Sequence, residues 1–179
     1  MGWRLVSEAE IQEQAALYRE LVAVAADGPD RFDAAYWWLR SARVSFSRRS
    51  YGSPDAKHEA LIPWEALVQR AAVAQRDAAE RIDAVLPQEL IERSRARLTC
   101  RAKYDAATVP LDRLSEANAW ARWSSRQLDK YRNRRVFEEA GIDVPAAQDV
   151  RDQVMEEAGL RLAGWMEEMY ATEEGRWTP

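Results

Sequence analysis

The predicted fold is decided by residues 111–141, whose sequence is LDRLSEANAWARWSSRQLDKYRNRRVFEEAG. Pro110 before this stretch suits the first turn of a helix, and Gly141 suits the position just past a helix end. At about 100° per residue, six apolar residues fall on one face, as packing against a core requires. They are Leu114, Ala117, Trp120, Ala121, Leu128 and Tyr131. The stretch is therefore predicted to be a long amphipathic helix of a helical bundle.

The opposite face of this predicted helix is basic. Four residues recur there at every fourth position, namely Arg122, Arg126, Lys130 and Arg134. Trp123 lies among them rather than on the apolar face. A large ring that points away from the core needs a second surface to cover it, from this chain or from a partner. We therefore predict that Trp123 and these cations form a binding surface.

The composition favours a single helical domain. Of the 179 residues, 47% are hydrophobic and 31% are charged, which is typical of a globular chain, and glycine and proline number only seven each. Alanine is abundant and β-branched residues are few, which favours helices over strands. We predict an all-α fold: a single-domain bundle of five to seven antiparallel helices over residues 1–174, followed by a flexible C-terminal tail at residues 175–179.

Local signals predict where the helices begin. Ser7 and Glu10 have the spacing of a capping box, which starts the first helix. Asp30 is predicted to cap the second helix, and Pro63 is predicted to open the third. A fourth helix is predicted over residues 87–107.

The second predicted helix is apolar on two sides. Most of its large residues share one face, but Trp37 and Val44 point the other way. A helix with two apolar faces lies either in the centre of a bundle or at an interface. Trp37 and Val44 are therefore predicted interface residues.

Several absences in the sequence point to the cytoplasm. One cysteine, Cys100, permits no internal disulfide, which favours a reducing compartment. The first residues show no signal-peptide pattern, and no apolar run approaches the roughly 20 residues needed to cross a bilayer. We expect a cytoplasmic protein that does not contact membranes.

The charges are distributed unevenly along the chain. Residues 93–135 carry 12 basic and 4 acidic side chains, net +8, whereas residues 136–179 carry 3 basic and 11 acidic ones, net −8. A second basic ladder belongs to the positive block, with Arg93, Arg97 and Arg101 as its members. The ladders could pair with the acidic last helix of the same chain. They could also bind a nucleic-acid backbone, with Trp123 and Tyr104 stacking on bases, or an acidic protein.

No catalytic or metal-binding pattern is recognisable. The chain has one histidine, His58, which excludes metal sites that need two. Phosphate-binding glycine loops, nucleophile elbows and Cys-x-x-Cys pairs do not occur. Cys100 is predicted to be a structural thiol on a helix, partly exposed, and His58 an exposed loop residue. We therefore predict no enzyme activity, no cofactor and no metal.

Three functions remain compatible with the sequence. The leading hypothesis is a non-enzymatic interaction protein that self-associates or docks onto a larger complex through tryptophan- and arginine-rich helix faces. The alternative is a nucleic-acid backbone-binding protein that uses the basic helices of residues 93–135. A second alternative is a small enzyme or ligand-binding bundle with a tryptophan-lined cavity.

Overall fold

A computed structural model describes residues 7–129 and 133–176 of the chain. These residues form helices without any strand, which confirms the all-α class. Eight helices occur in the described part, with these bounds: α1 Glu8–Val24, α2 Gly28–Ser47, α3 Pro54–Asp83, α4 Gln88–Arg93, α5 Arg95–Ala106, α6 Pro110–Gln127, α7 Arg134–Glu139 and α8 Val144–Arg176. Of the tail predicted at 175–179, residues 177–179 lie outside the described residues, and α8 continues through Arg176.

The predicted start of α1 is confirmed, but that of α2 is wrong. Ser7 Oγ accepts a hydrogen bond from Glu10 N at 3.2 Å, and Ser7 N donates to Glu10 Oε2 at 2.7 Å, which completes the capping box. The N-cap of α2 is Asp27 rather than Asp30. Asp27 Oδ1 accepts from the backbone N of Asp30 at 2.9 Å, because the helix already begins at Gly28.

Pro63 lies inside α3 and does not open a helix as predicted. The helix begins nine residues earlier, where Ser53 Oγ accepts from Ala56 N at 3.1 Å. An interior proline removes one backbone hydrogen bond and costs roughly 3 kcal/mol. Burial of Trp64 and Leu67 immediately after it offsets this cost. Tertiary packing thus overrides the local signal.

Two predicted helices are each divided, which is why the described residues form eight helices rather than five to seven. The helix predicted over 87–107 breaks at Ser94, whose Oγ accepts from Arg97 N at 3.4 Å and starts α5. The helix predicted over 111–141 ends at Gln127 and resumes as α7. Asn133 Nδ2 donates to the carbonyl oxygen of Gln127 at 3.1 Å at this break, and α7 then buries Phe137.

Helix α3 lies at the centre of the bundle. It packs along α6 on one side and contacts α8 on another, while α2 packs between α1 and α8, and α5 covers α6. Helix α6 therefore packs mainly against α3 and α5 rather than against the acidic α8. The close crossing of α2 and α8 needs glycine, since a Cβ on Gly28 would collide with the carbonyl oxygen of Asp152.

A buried polar network joins α3 to α5 and α6. Asp83 Oδ2 accepts from Arg97 Nε at 2.8 Å and from Trp120 Nε1 at 2.9 Å, and it also pairs with Arg97 Nη2. Asp83 Oδ1 accepts from Ser124 Oγ at 2.5 Å. The side chains of Arg97 and Asp83 are only 2% and 9% exposed. A charge pair that is this deeply buried is tolerable only when its hydrogen-bonding groups are satisfied, as they are here.

We expect Asp83→Ala to lower the free energy of unfolding by about 3–5 kcal/mol, because the guanidinium of Arg97 would stay buried without a counter-charge. Urea unfolding followed by circular dichroism measures this loss. Arg134→Ala is the control, since Arg134 pairs with Glu138 on the surface, and its unfolding midpoint should not change. Equal effects of the two substitutions would contradict the role given to Asp83.

Candidate interaction surface

Helix α1 has two apolar faces. Ile11, Ala15 and Val22 are buried against the bundle. Three further apolar residues, which we call the α1 stripe, are exposed, at 53% for Leu17, 41% for Leu21 and 74% for Val24. Their spacing of four and three residues places them on one side of the helix. Nothing in the described part of the chain covers this side.

Trp37 of α2 continues the apolar surface next to the α1 stripe. It is 37% exposed, and its ring stacks on that of Tyr18 with centroids 6.2 Å apart. Between these helices lies a groove of about 400 Å³, whose lining includes Leu21, Val24 and Trp37. We call it the α1–α2 groove. The guanidinium of Arg40 lies 5.6 Å from the Trp37 ring centroid, so a cation borders this indole ring.

An acidic residue, Asp33, lies in the lining of the α1–α2 groove. Its Oδ2 pairs with Arg122 Nε at 3.3 Å, whereas its Oδ1 is buried and has no hydrogen-bond partner among the described residues. Burial raises the pKa of Asp33, and the charge of Arg122 and the amide of Asn118 offset only part of the rise. Asn118 Nδ2 is likewise buried and makes no hydrogen bond of good geometry among the described residues, although its amide is near enough to Asp33 to favour the ionised carboxylate. The lining of the α1–α2 groove thus includes one carboxylate whose oxygens are not fully paired.

The basic side of α6 borders the same region through Asp33. Trp123 is 37% exposed, and the guanidinium of Arg126 lies 5.0 Å from its ring centroid. Arg122 joins these residues to the groove by its contact with Asp33. We call Arg122, Trp123 and Arg126 the basic rim. The ion pair between Asp33 and Arg122 therefore links the α1–α2 groove to the basic rim.

The second predicted ladder does not form a surface. Arg97 is buried and paired with Asp83, so the prediction that it binds a partner is wrong. The carboxylate that pairs with Arg97 belongs to another helix, α3. Tyr104 is also buried, at 6% exposure, and cannot stack on a base as predicted. Arg101 is exposed, but its guanidinium lies 5.5 Å from the ring centroid of the buried Trp120.

Arg93 and Arg134, at the ends of the two predicted ladders, are exposed but have carboxylates close by. Arg93 pairs with Glu89 at 2.5 Å, and Arg134 pairs with Glu138 at 2.6 Å, each within its own helix. Arg134 belongs to α7 and is therefore not continuous with the ladder of α6. Lys130 lies outside the described residues. The sequence suggested that the ladders pair with the acidic last helix. This is wrong for Arg93 and Arg134, because their partners belong to α4 and α7.

The remaining candidates take no part in this surface. Val44 is half-buried and does not line the α1–α2 groove. His58 is exposed but belongs to α3 rather than to a loop. Cys100 is buried rather than partly exposed, and its burial raises the pKa of the thiol, which disfavours the reactive thiolate. The described residues include no group of three or more potential metal ligands.

Sequence reasoning missed the α1 stripe. The signal was present, since at about 100° per residue positions 17, 21 and 24 point roughly 80° or more away from the buried positions 11, 15 and 22. A helical-wheel projection of α1 alone would have shown two apolar faces.

Comparisons with known proteins return no relatives: no family model, curated protein or solved structure matches the chain. Within residues 7–129 and 133–176, no helix combines the length and the hydropathy needed to span a bilayer.

Asp33→Asn should change how stability depends on pH. A carboxyl group whose pKa in the folded state lies above its ordinary value of 3.8 destabilises the folded state once it ionises. The free energy of unfolding of the wild type therefore decreases as pH rises through this range. The free energy of unfolding of Asp33→Asn relative to wild type should therefore increase from about pH 4 to about pH 7. Urea titrations at several pH values measure it. A difference that stays constant or decreases would show that the pKa of Asp33 is not raised.

Proposed function

We propose that the protein is a non-enzymatic interaction protein, and that it binds another protein through the α1 stripe, the α1–α2 groove and Trp37. The exposed apolar stripe next to an apolar groove is the observation that supports this proposal. Apolar side chains gain roughly 25 cal/mol for each Å² removed from water, so a partner helix would be stabilised here. The single buried cysteine is consistent with a reducing compartment, and we infer that this is the cytoplasm.

The surface has the residue types that dominate binding energy in protein interfaces. Tryptophan and arginine are enriched among such residues, and they contribute most where neighbouring side chains exclude water. Trp37 with Arg40 and Trp123 with Arg126 are two examples of an indole ring with a nearby guanidinium. We assign the main apolar contact to Trp37 and the electrostatic orientation of the partner to the basic rim.

A second copy of the chain is the occupant that the residues favour. Across a two-fold axis, an apolar helical stripe meets an identical apolar stripe, so the surface is complementary to itself. The three residues of the stripe span only about two turns of α1. Such a small contact is typical of weak or transient association rather than of an obligate dimer.

We expect the wild-type protein to self-associate between about 1 µM and about 1 mM, and the double variant Leu17→Ser/Leu21→Ser to remain a monomer over the same range. The reason is that the variant removes apolar contact area without touching the buried face of α1. Sedimentation velocity at several concentrations measures the change.

The matched control is Leu98→Ser/Leu160→Ser, because these leucines are 42% and 53% exposed on α5 and α8, as Leu21 and Leu17 are on α1. This variant should associate like the wild type. A wild-type protein that stays monomeric would contradict a second copy as the occupant. Equal loss of association in both variants would contradict the α1 stripe as the interface.

Nucleic-acid binding is the alternative function. The net charge of +8 in residues 93–135 and the exposed Arg126 favour it. Three observations disfavour it. Arg97 is buried, Arg93 and Arg134 pair with carboxylates of their own helices, and the chain as a whole carries a net charge of −4. The protein interface is therefore the better supported function.

We expect labelled DNA and RNA to show no saturable, salt-dependent binding, because few phosphate contacts can form on a surface whose cations are locally neutralised. Fluorescence anisotropy at a low and a high salt concentration tests this. Binding that weakens with salt and disappears in Arg126→Glu would favour the alternative instead. Arg126 is exposed, so this substitution should not change the unfolding midpoint.

A further inference from the structure

The α1 stripe is bordered by acidic side chains on one side. At about 100° per residue, Glu13 and Glu20 lie on the side of the stripe that faces away from the α1–α2 groove, whereas Tyr18, which stacks on Trp37, lies on the groove side. Both glutamates are exposed, and neither carboxylate forms an ion pair or a hydrogen bond among the described residues. We call Glu13 and Glu20 the acidic flank.

The groove side of the α1 stripe is bordered by cations instead. Arg40 of α2 lies beside Trp37 and donates from Nη1 to Ser115 Oγ of α6 at 3.2 Å, but it pairs with no carboxylate of the described residues. Arg122 of α6 pairs with Asp33 through Nε at 3.3 Å, and its terminal nitrogens donate no hydrogen bond in the described part of the chain. Both guanidiniums therefore have donors left for a partner's carboxylates.

The glutamates and the cations have the same spacing along their helices. Glu20 follows Glu13 by seven residues on α1, and Arg122 follows Ser115, the residue that holds Arg40, by seven residues on α6. Seven residues correspond to about 10.5 Å along a helix. The acidic flank and the two cations are therefore spaced alike.

Helix α2 runs antiparallel to α1, which fixes the height of Arg40 along the bundle. The ring of Trp37 stacks on that of Tyr18, and Arg31, earlier in α2, donates from Nε to the carbonyl oxygen of Val22, later in α1, at 3.0 Å. Arg40 follows Trp37 by about one turn. It therefore lies at nearly the same height as the first glutamate of the acidic flank.

Helix α6 runs antiparallel to α2 and thus in the same direction as α1. Its Ser115 contacts Arg40, and its Arg122 contacts Asp33, which precedes Arg40 by about two turns of α2. Arg122 therefore lies at nearly the same height as Glu20. Each cation is within about one helical turn of a glutamate along the bundle.

These charges distinguish two orientations of a second copy. A two-fold axis perpendicular to α1 makes the two α1 helices antiparallel, and the acidic flanks of the two copies then face each other. A two-fold axis along α1 makes the helices parallel and keeps every residue at its own height. The acidic flank of one copy then lies over the cations of the other. Like charges that face each other across an interface are unfavourable, so the charges favour parallel helices.

We propose that two copies associate with their α1 helices parallel, so that Glu13 of each copy pairs with Arg40 of the other and Glu20 pairs with Arg122. This inference rests on the proposed function and specifies the orientation of the second copy. The α1 stripes then meet beside the α1–α2 groove and Trp37 of the other copy. The ion pairs lie around this apolar contact, as the polar rim of an interface does.

Charge reversal tests the ion pairs. Glu13→Arg/Glu20→Arg should weaken self-association at least about tenfold at low salt, because guanidiniums would face guanidiniums. Association of the wild type should weaken as the salt concentration rises. The matched control is Glu59→Arg/Asp105→Arg, at exposed positions of α3 and α5, which changes the net charge equally and should associate like the wild type. Sedimentation velocity measures association, and circular dichroism checks that each variant is folded.

Cross-linking tests the orientation. Parallel helices place position 17 beside position 17 of the other copy and position 24 beside position 24, whereas antiparallel helices place position 17 beside position 24. A short bismaleimide should therefore link Leu17→Cys to itself and Val24→Cys to itself. Cysteine behaves as a small apolar residue, so both variants should still associate. Cys100 is buried, so the wild type should not be cross-linked.

Cross-links that form only when Leu17→Cys and Val24→Cys are mixed, or that are absent from either variant alone, would overturn the parallel arrangement. Association that is unchanged in Glu13→Arg/Glu20→Arg would overturn the ion pairs. Both results would leave the α1 stripe as the interface if Leu17→Ser/Leu21→Ser still abolishes association. A wild-type protein that stays monomeric would overturn this inference together with the proposed function.

Discussion

The buried carboxylate of Asp83 is the group on which the arrangement of the helices depends most. It lies at the end of α3 and accepts hydrogen bonds from Arg97 of α5 and from Trp120 and Ser124 of α6. An unpaired charge in the core would cost several kcal/mol, so these three helices meet in the one register that satisfies it. Because Trp120 is held against α3, the neighbouring Trp123 and Arg126 are directed outward. The basic rim is thus a consequence of the core network.

Helix α1 lies at the edge of the bundle, and its outer face is exposed. Its buried face packs on α2, and its outer leucines belong to the α1 stripe. The other long helices are covered on more sides, since α2 packs between α1 and α8 and α3 contacts α2, α6 and α8. An edge helix that keeps large apolar residues on its outer face is typical of a surface covered by a partner in the functional state.

The sequence predicts correctly those features of the fold that are caused by local interactions. The all-α class and the capping box at Ser7 follow from composition and from contacts three residues apart, so both could be predicted. The interior position of Pro63 could not, because burial of residues after it outweighs a local penalty. Arg97 looked like one rung of a regular ladder, and only the tertiary contact with Asp83 distinguishes it.

The proposed function requires that a second copy of the chain covers the outer face of α1 in the cell. The most direct measurement replaces Leu21 by the photo-crosslinking residue p-benzoylphenylalanine, and Leu98 likewise in a separate control, in the cells that make the protein. Leu98 has almost the same exposure but lies on α5. We expect one adduct from position 21, with the mass of two copies of the chain, and none from position 98. No adduct from position 21, or the same adducts from both positions, would contradict it.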